Sequence, residues 1–272
     1  MKVLYCGDVV GKSGRKVVTS LVPELRRRLD LDFVVVNGEN AAHGFGITAD
    51  ICAEFFAAGV DVITTGNHVW DQREIIPYIG GETRLLRPLN YPEGTPGIGA
   101  QIYSNGSGLR LMVLQVMGRL FMDPLDDPFV AAERALQNQR LGSSVDCIIA
   151  DVHAEATSEK MAIGHVLDGR VSLVVGTHSH VPTADARILT GGTAYMTDVG
   201  MCGDYDSVIG MQKETAIARF VAKMPTGRLE PAGGAATLCG VYVETDPSSG
   251  KAVHVGPLRV GGSLVPEWPL PS

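Results

Sequence analysis

The chain has 272 residues, 45% hydrophobic and 19% charged, with 33 glycines and a formal net charge of -7. This is enough apolar material for a sizeable core in one large domain, and it excludes a disordered or coiled-coil protein. A sequence-independent grip on long duplex nucleic acid needs a basic surface, so such partners are not expected, whereas small anionic substrates stay open because bound divalent metals can dominate a local field.

Strand-then-helix alternation fills the first half of the chain. Residues 2–7 read as a strand that starts without a signal-peptide segment. Residues 13–29 read as a helix capped by Ser13, with Leu21, Val22, Leu25 and Leu29 on one face. A strand at 33–37 precedes a helix opened by Thr48-Ala49-Asp50 and stopped by Gly59. A third strand covers 61–65, and a short helix runs from Asp71 to Tyr78. Residues 84–103 are rich in proline and glycine, with Gln101-Ile102-Tyr103 extended. Strands at 109–116, 145–151 and 171–176 alternate with helices at 128–139 and 157–168, the second capped by Thr157 or Ser158. The remainder is strand-rich, at 184–189, 194–198, 237–244 and 252–260, with a helix at 211–222. No repeat or linker divides the sequence, so one domain over 1–272 is expected. Two sheets packed face to face under outer helices suit this pattern, and a single doubly wound sheet suits it nearly as well.

The five cysteines (Cys6, Cys52, Cys147, Cys202 and Cys239) are dispersed, form no CxxC pair and read as small buried hydrophobes in a reducing cytoplasm. No apolar stretch reaches the roughly 18 residues of a membrane span.

Polar residues recur where apolar strands end. Asp8 follows Val3-Leu4-Tyr5-Cys6, Glu39-Asn40 follows Phe33-Val34-Val35-Val36, and Asn67-His68 follows Val62-Ile63-Thr64-Thr65. His153 follows Ile148-Ile149-Ala150, and His178-Ser179-His180 follows Leu173-Val174-Val175. Ligands bind at the carboxyl ends of strands in α/β sheets. Asp8 alone could serve a turn, and Glu39 could accept backbone N–H groups from the loop of Gly44 and Gly46. A metal would satisfy both acids. On an extended segment His178 and His180 would point to the same side, which suits two adjacent ions. Oxygen and nitrogen donors without thiolate suit manganese, iron or zinc. His165 and His254 are read as ordinary histidines; His43, close in sequence to Glu39-Asn40, is read as exposed or as lining a pocket.

The order Asp8, Glu39-Asn40, Gly66-Asn67-His68, His153 and Gly176-Thr177-His178-Ser179-His180 resembles the calcineurin-like metallophosphoesterase superfamily. Two positions depart from its usual pattern: Val10 replaces a histidine, and Glu39 replaces a bridging aspartate. Those departures match the bacterial YmdB-like subgroup, described as acting on 2′,3′-cyclic nucleotides. So do the long segments Asn37-Gly38-Glu39-Asn40-Ala41-Ala42, Asp151 to Lys160, Thr197 to Met201 and Tyr205 to Gly210. The resemblance implies a four-layer αββα sandwich of two mixed sheets. It implies two metal ions, iron or manganese first and zinc as an option. One would be held by Asp8, Glu39, Asn40 and His180, the other by Glu39, Asn67, His153 and His178. Glu39 would bridge them, and Asn40 would fill the place left by the histidine absent at position 10.

The expected chemistry is phosphodiester hydrolysis by a hydroxide shared between the ions, with His68 as proton donor to the leaving oxygen. The same ligands would serve a phosphomonoesterase or phosphoprotein phosphatase. A regulatory nucleotide-binding protein with little turnover is the alternative outside enzyme chemistry, disfavoured because a binding module has no use for a positioned acid. Residues 197–210 read equally as a wall of a substrate or oligomer surface and as a loop of tight turns. The low charge and these late loops allow a homo-oligomer.

Overall fold

A computed structural model of the chain describes residues 1–223 and 227–269. One sheet contains β1 (Lys2–Cys6), β2 (Asp8–Val9), β3 (Phe33–Asn37), β4 (Val62–Thr64), β11 (Met201–Asp204), β12 (Ala236–Thr245) and β13 (Ala252–Gly261). Its order is β2-β11-β12-β1-β3-β4, with β13 along the other flank of the long β12. The second sheet is β5-β6-β7-β8-β10-β9. Its strands are β5 (Ala100–Ser104), β6 (Arg110–Met117), β7 (Cys147–His153), β8 (Leu173–Thr177), β9 (Arg187–Ile188) and β10 (Ala194–Met196). Among the described residues six helices complete the order: α1 (Gly11–Leu29), α2 (Ala49–Ala57), α3 (Ile75–Ile79), α4 (Pro128–Leu136), α5 (Thr157–Leu167) and α6 (Lys213–Ala222).

Side chains alternate across a strand, and that alternation builds the layers. Val3 and Tyr5 of β1 face inward, with Val35 and Val62, against Val113, Ile149 and Val175 of the second sheet. Leu4 and Cys6 face outward, with Val34 and Val36, under Val18, Val22 and Leu25 of α1 and Phe55 of α2. In the second sheet Leu114, Ile148 and Val174 face outward beneath Ala132 and Leu136 of α4 and Ile163 and Leu167 of α5. The result is the αββα sandwich with two mixed sheets that the sequence motifs imply. A doubly wound single sheet is excluded, because the inward-facing residues of each sheet pack on the other. All five cysteines are buried and free, as read from the sequence.

Several local expectations change. The first helix starts at Gly11 rather than residue 13. Val10 sits at its N-cap without a side-chain bond, while Ser13 Oγ donates to Ala232 O at 3.0 Å. Thr157 and Ser158 do not cap α5, whose N-cap is Ala156. Thr48 does cap α2, accepting from Ile51 N at 3.3 Å. Residues 197–210 include the strand β11, which pairs with β2 through Met201 and Asp8. A two-residue strand leaves no periodicity to read, so this pairing is set by the tertiary structure.

β1, β3 and β4 run parallel in one sheet, and β6, β7 and β8 run parallel in the other. The carboxyl ends of both triplets meet at one end of the sandwich. Just inside that end the dry core gives way to a polar seam. Tyr5 Oη donates to Asp151 Oδ2 across the two sheets and lies 2.8 Å from Thr64 Oγ1. Gln115 Nε2 donates to Asp151 Oδ2 at 2.7 Å and to Thr65 O, while its Oε1 accepts from Thr65 N at 3.1 Å. Thr177 Oγ1 donates to Asp151 Oδ1 at 2.8 Å. Burial raises the Asp151 carboxyl from its usual range, against the pull of His153. Among these groups the Tyr5 hydroxyl ties the sheets together through a buried carboxylate. Its removal by Tyr5→Phe withdraws one donor from Asp151 and is expected to cost about 1–3 kcal/mol of stability. A shift of the urea unfolding midpoint checks this; an unshifted midpoint would show the inter-sheet bond to be dispensable.

Candidate metal centre

Asp8, Glu39, Asn67, His153, His178 and His180 converge at the carboxyl ends of β1, β3, β4, β7 and β8. Two triads form, Glu39 with His153 and His178, and Asp8 with Glu39 and His180; in each the candidate ligand atoms lie within 4.8 Å of one another. Glu39 belongs to both. Its loop is shaped by Asn37, whose Oδ1 accepts from Glu39 N at 3.0 Å and whose Nδ2 donates to Thr65 O at 2.8 Å. Glu39 Oε2 accepts from the His68 backbone at 3.2 Å, not from Gly44 or Gly46. The glycine at 66 is required by close approach: a Cβ there would lie 2.1 Å from Glu39 Oε2 and 2.4 Å from His153 Nε2.

The partners of each imidazole decide which nitrogen faces the cluster. Thr177 Oγ1 spends its proton on Asp151, so it accepts from His153 Nδ1–H at 2.8 Å. His153 Nε2 then faces Glu39 Oε1 at 3.1 Å and Asn67 Oδ1 at 3.0 Å. His178 Nε2 points to Glu155 Oε2 at 3.2 Å, leaving Nδ1 3.2 Å from His153 Nε2. His180 Nδ1 donates to Ile209 O at 2.8 Å, leaving Nε2 4.0 Å from Asp8 Oδ1.

The His178-Ser179-His180 segment is not extended, contrary to the sequence reading. His178 and His180 have φ of 96° and 65°, so the chain turns and sends the two rings to different triads. Side-chain alternation applies only to extended backbone, and no local sequence signal marks these left-handed residues.

The electrostatics of the cluster suit positive charge placed among its oxygens. Burial pushes the Asp8 carboxyl up to about 6, with His180 and His153 pulling against it. Burial also opposes ionisation of Glu39, but the charge and hydrogen bond of His153 outweigh it and draw Glu39 down to about 2. Burial disfavours a charged His153, yet Glu39 raises it to about 9. Burial, then the His153 charge, hold His178 down to about 3. Among the described residues, two buried side-chain polar atoms have no partner: Asp8 Oδ1 and Asn40 Oδ1. Asn40 turns its Nδ2 to Gly44 O at 3.0 Å, which aims the amide oxygen away from that bond. A buried acceptor without a donor costs free energy, and a hard cation supplies what both oxygens lack. The residues present therefore fit metal ions.

His68 stands apart from the ligand atoms. Its Nδ1 donates to Asp71 Oδ2 at 2.8 Å, and its ring meets Phe45 edge-on at 5.1 Å between centroids. Sequence reasoning missed Asp71, Glu155 and Asp151, which orient histidines from behind. A lone acid inside the apolar run of β7 was the one available signal for Asp151; Asp71 and Glu155 look like ordinary loop acids. His43 and His165 are exposed, and His254 bonds to Pro269 O at 2.6 Å. No helix among the described residues is long and apolar enough to cross a membrane.

The family model of the YmdB-like protein matches residues 4–258. A Bacillus subtilis (strain 168) protein described as a 2′,3′-cyclic-nucleotide 2′-phosphodiesterase is 48% identical over 255 residues, covering 94% of this chain and 95% of that protein. A crystal structure of a Thermus thermophilus protein superposes with a TM-score of 0.89 at 44% identity, over 97% of this chain and 100% of that one. The crystal structure of a Mycoplasma pneumoniae phosphatase gives 0.89 at 33% identity, over 96% of this chain and 93% of that one.

Adding Mn²⁺ to chelator-treated protein is expected to raise its stability by about 2.7 kcal/mol for each ion bound at a hundredfold excess over its Kd. Binding requires His153 without its second proton and Asp8 ionised, so the gain should decline as pH falls below about 9 and further as pH falls through about 6. Thermal unfolding with and without Mn²⁺ at several pH values checks both; a gain that Asp8→Ala preserves would remove Asp8 from the site.

Proposed function

Because the chain belongs to the YmdB-like protein family, we propose that it is a metal-dependent phosphodiesterase hydrolysing 2′,3′-cyclic nucleotides in a single domain spanning residues 1–272. The observation that carries this reading is a carboxylate, Glu39, shared by two triads, beside two orphaned buried oxygens and one oriented imidazole that binds none of them.

Asp8, Glu39, Asn40 and His180 would hold one ion; Glu39, Asn67, His153 and His178 would hold the other. Bound there, two ions would supply Lewis-acid activation of water and neutralisation of phosphoryl charge. Manganese or iron suits these oxygen and nitrogen donors best, with zinc as the next choice. The protein's own contribution is position and protons. Displacing the proton of His153 frees Nε2, and Thr177 keeps that ring aligned through Nδ1. His68 in its protonated form gives a proton from Nε2 to the oxygen that leaves phosphorus. Asp71, bonded to Nδ1, holds the ring and compensates its charge. The phosphorus–oxygen bond breaks on the side of His68, and the ribose hydroxyl departs neutral.

A neighbouring cavity offers room for the organic part of the substrate. A cavity of about 550 Å³ is bounded by His43, Gln72, Arg228, Leu229, Glu230 and Pro231. Gln72 Nε2 bonds to Phe45 O at 2.7 Å, so this cavity adjoins the Phe45–His68 ring pair.

Turnover on 2′,3′-cyclic nucleotides, 3′,5′-cyclic nucleotides, a bis-aryl diester and an aryl monoester by metal-loaded protein tests the substrate class. Activity confined to the monoester would sink the diesterase reading. His68→Ala is expected to keep its metals and lose about 10²- to 10⁴-fold in turnover of alkoxide-leaving substrates. Metal content that drops along with activity would make His68 a ligand instead. Glu39→Ala is expected to lose both ions, and two metals per chain in that variant would refute a bridging role.

A further inference from the structure

Backbone in the left-handed region is sparsely populated by residues with side chains and persists only where the surroundings over-determine it. His178 and His180 both occupy it, on either side of Ser179. What holds this turn comes from the segment that follows β10. Asp198 Oδ2 accepts from Ser179 N at 3.1 Å, Ser179 Oγ at 2.8 Å and Lys160 Nζ at 2.8 Å. Its other oxygen accepts from Gly200 N at 2.8 Å. Both members of the Lys160–Asp198 pair have side chains only 1% exposed. Further along, Tyr205 Oη donates to His180 O at 3.2 Å, and Ile209 O takes the His180 Nδ1 proton. The end of β8 is fitted to the same frame: a Cβ at Gly176 would stand 1.8 Å from Thr197 O and 2.9 Å from Lys160 Cδ.

We infer that Asp198, anchored by Lys160, is the positioning residue that pins Ser179 and so keeps His178 and His180 turned toward different triads. The segment 197–210 is then the frame of the histidine turn rather than a substrate wall. Without the pin the turn relaxes toward extended backbone, where residues two apart fall on one side, and the separate aim of the two rings at their triads is lost. Lys160 lies on α5, so the clamp also couples that helix to the geometry of the site. The inference rests on the two-metal reading but concerns metal affinity rather than any one substrate.

The test is Mn²⁺ binding by calorimetry, electron paramagnetic resonance of the Mn²⁺-loaded protein, and thermal unfolding of the chelated protein. Two variants serve. Ser179→Ala removes one bond to Asp198 and leaves no buried charge. Lys160→Met combined with Asp198→Asn removes the ion pair without stranding either charge. Partners behind metal ligands are typically worth 10- to 100-fold in affinity. The double variant is expected to fall in that range, with the spin-coupled two-ion spectrum giving way to that of a single ion. Ser179→Ala is expected to lose about three- to tenfold, toward the low end for a single bond. Wild-type Mn²⁺ affinity and a coupled spectrum in Ser179→Ala would overturn the inference, even where the double variant does not fold. A lowered unfolding temperature with unchanged affinity in the double variant would overturn it equally, since that is the behaviour of a plain core ion pair. Wild-type protein that takes up no Mn²⁺ would overturn the two-metal reading and this inference with it.

Discussion

Glu39 is an acid with almost no contact with water, and much of this end of the molecule is arranged around it. An ionised carboxylate in a low-dielectric interior costs several kcal/mol unless opposite charge and donors are close. Its compensation comes from both sheets at once. His153 approaches from the end of β7 at 3.1 Å, and the His68 backbone from beyond β4 at 3.2 Å. The glycine at 66 lets these groups meet. Because the partners are divided between the sheets, the carboxylate is satisfied only when the sandwich is closed in its native register. A slip of one residue in any parallel strand would turn its polar terminus to the wrong face.

The seam behind the cluster extends the same logic inward. Asp151 spends its two oxygens on Tyr5, Gln115 and Thr177, and Thr177 in turn accepts from His153. The chain of bonds runs from β1, through a carboxylate in the opposite sheet, to an imidazole of the site. A half-satisfied buried network is worse than an apolar core, so each member constrains the next. The hydroxyl of Tyr5 and the tautomer of His153 are thus parts of one hydrogen-bonded system. The core's apolar layers, by contrast, ask only for volume and alternation, and they set the distance between sheets without choosing the chemistry.

This division explains what the amino-acid sequence reveals. Alternating Val, Ile and Leu in 33–37, 109–116 and 145–151 make the strands legible. An acid, amide or histidine just past such a run stands out, so Asp8, Glu39, Asn67 and His153 present themselves as candidates from their neighbours alone. The choice between a sandwich and a doubly wound sheet could not, because it depends on which inward faces meet. Nor could the bend at His178 and His180, whose left-handed backbone is imposed by Asp198, Tyr205 and Ile209, 19 to 29 residues further along the chain. Caps behaved likewise. Thr48 acted as its residue type suggests, whereas the hydroxyl of Ser13 was claimed by Ala232 and α5 begins without a side-chain cap. At Ser13 a tertiary partner took the hydroxyl that a cap would have used.

Exposure divides the cluster in a second way. The side chains of Asp8, Glu39 and His153 are at most 1% exposed, whereas His178 is 22% and His68 27% exposed, and their partners Glu155 and Asp71 are more open still. The buried groups belong to the inter-sheet network and cannot move without disturbing the sandwich. The outward ring nitrogens of the half-exposed histidines pair with carboxylates at the surface, Glu155 and Asp71, where water competes for every bond and ion pairs are weak. Rearrangement to admit a substrate must therefore come from the rim, at Glu155, Asp71 and the Phe45 turn. Discrimination among phosphoesters, on the proposed reading, is decided by residues that the fold constrains least. It follows that relatives can share the buried acids and histidines and still differ in what they hydrolyse.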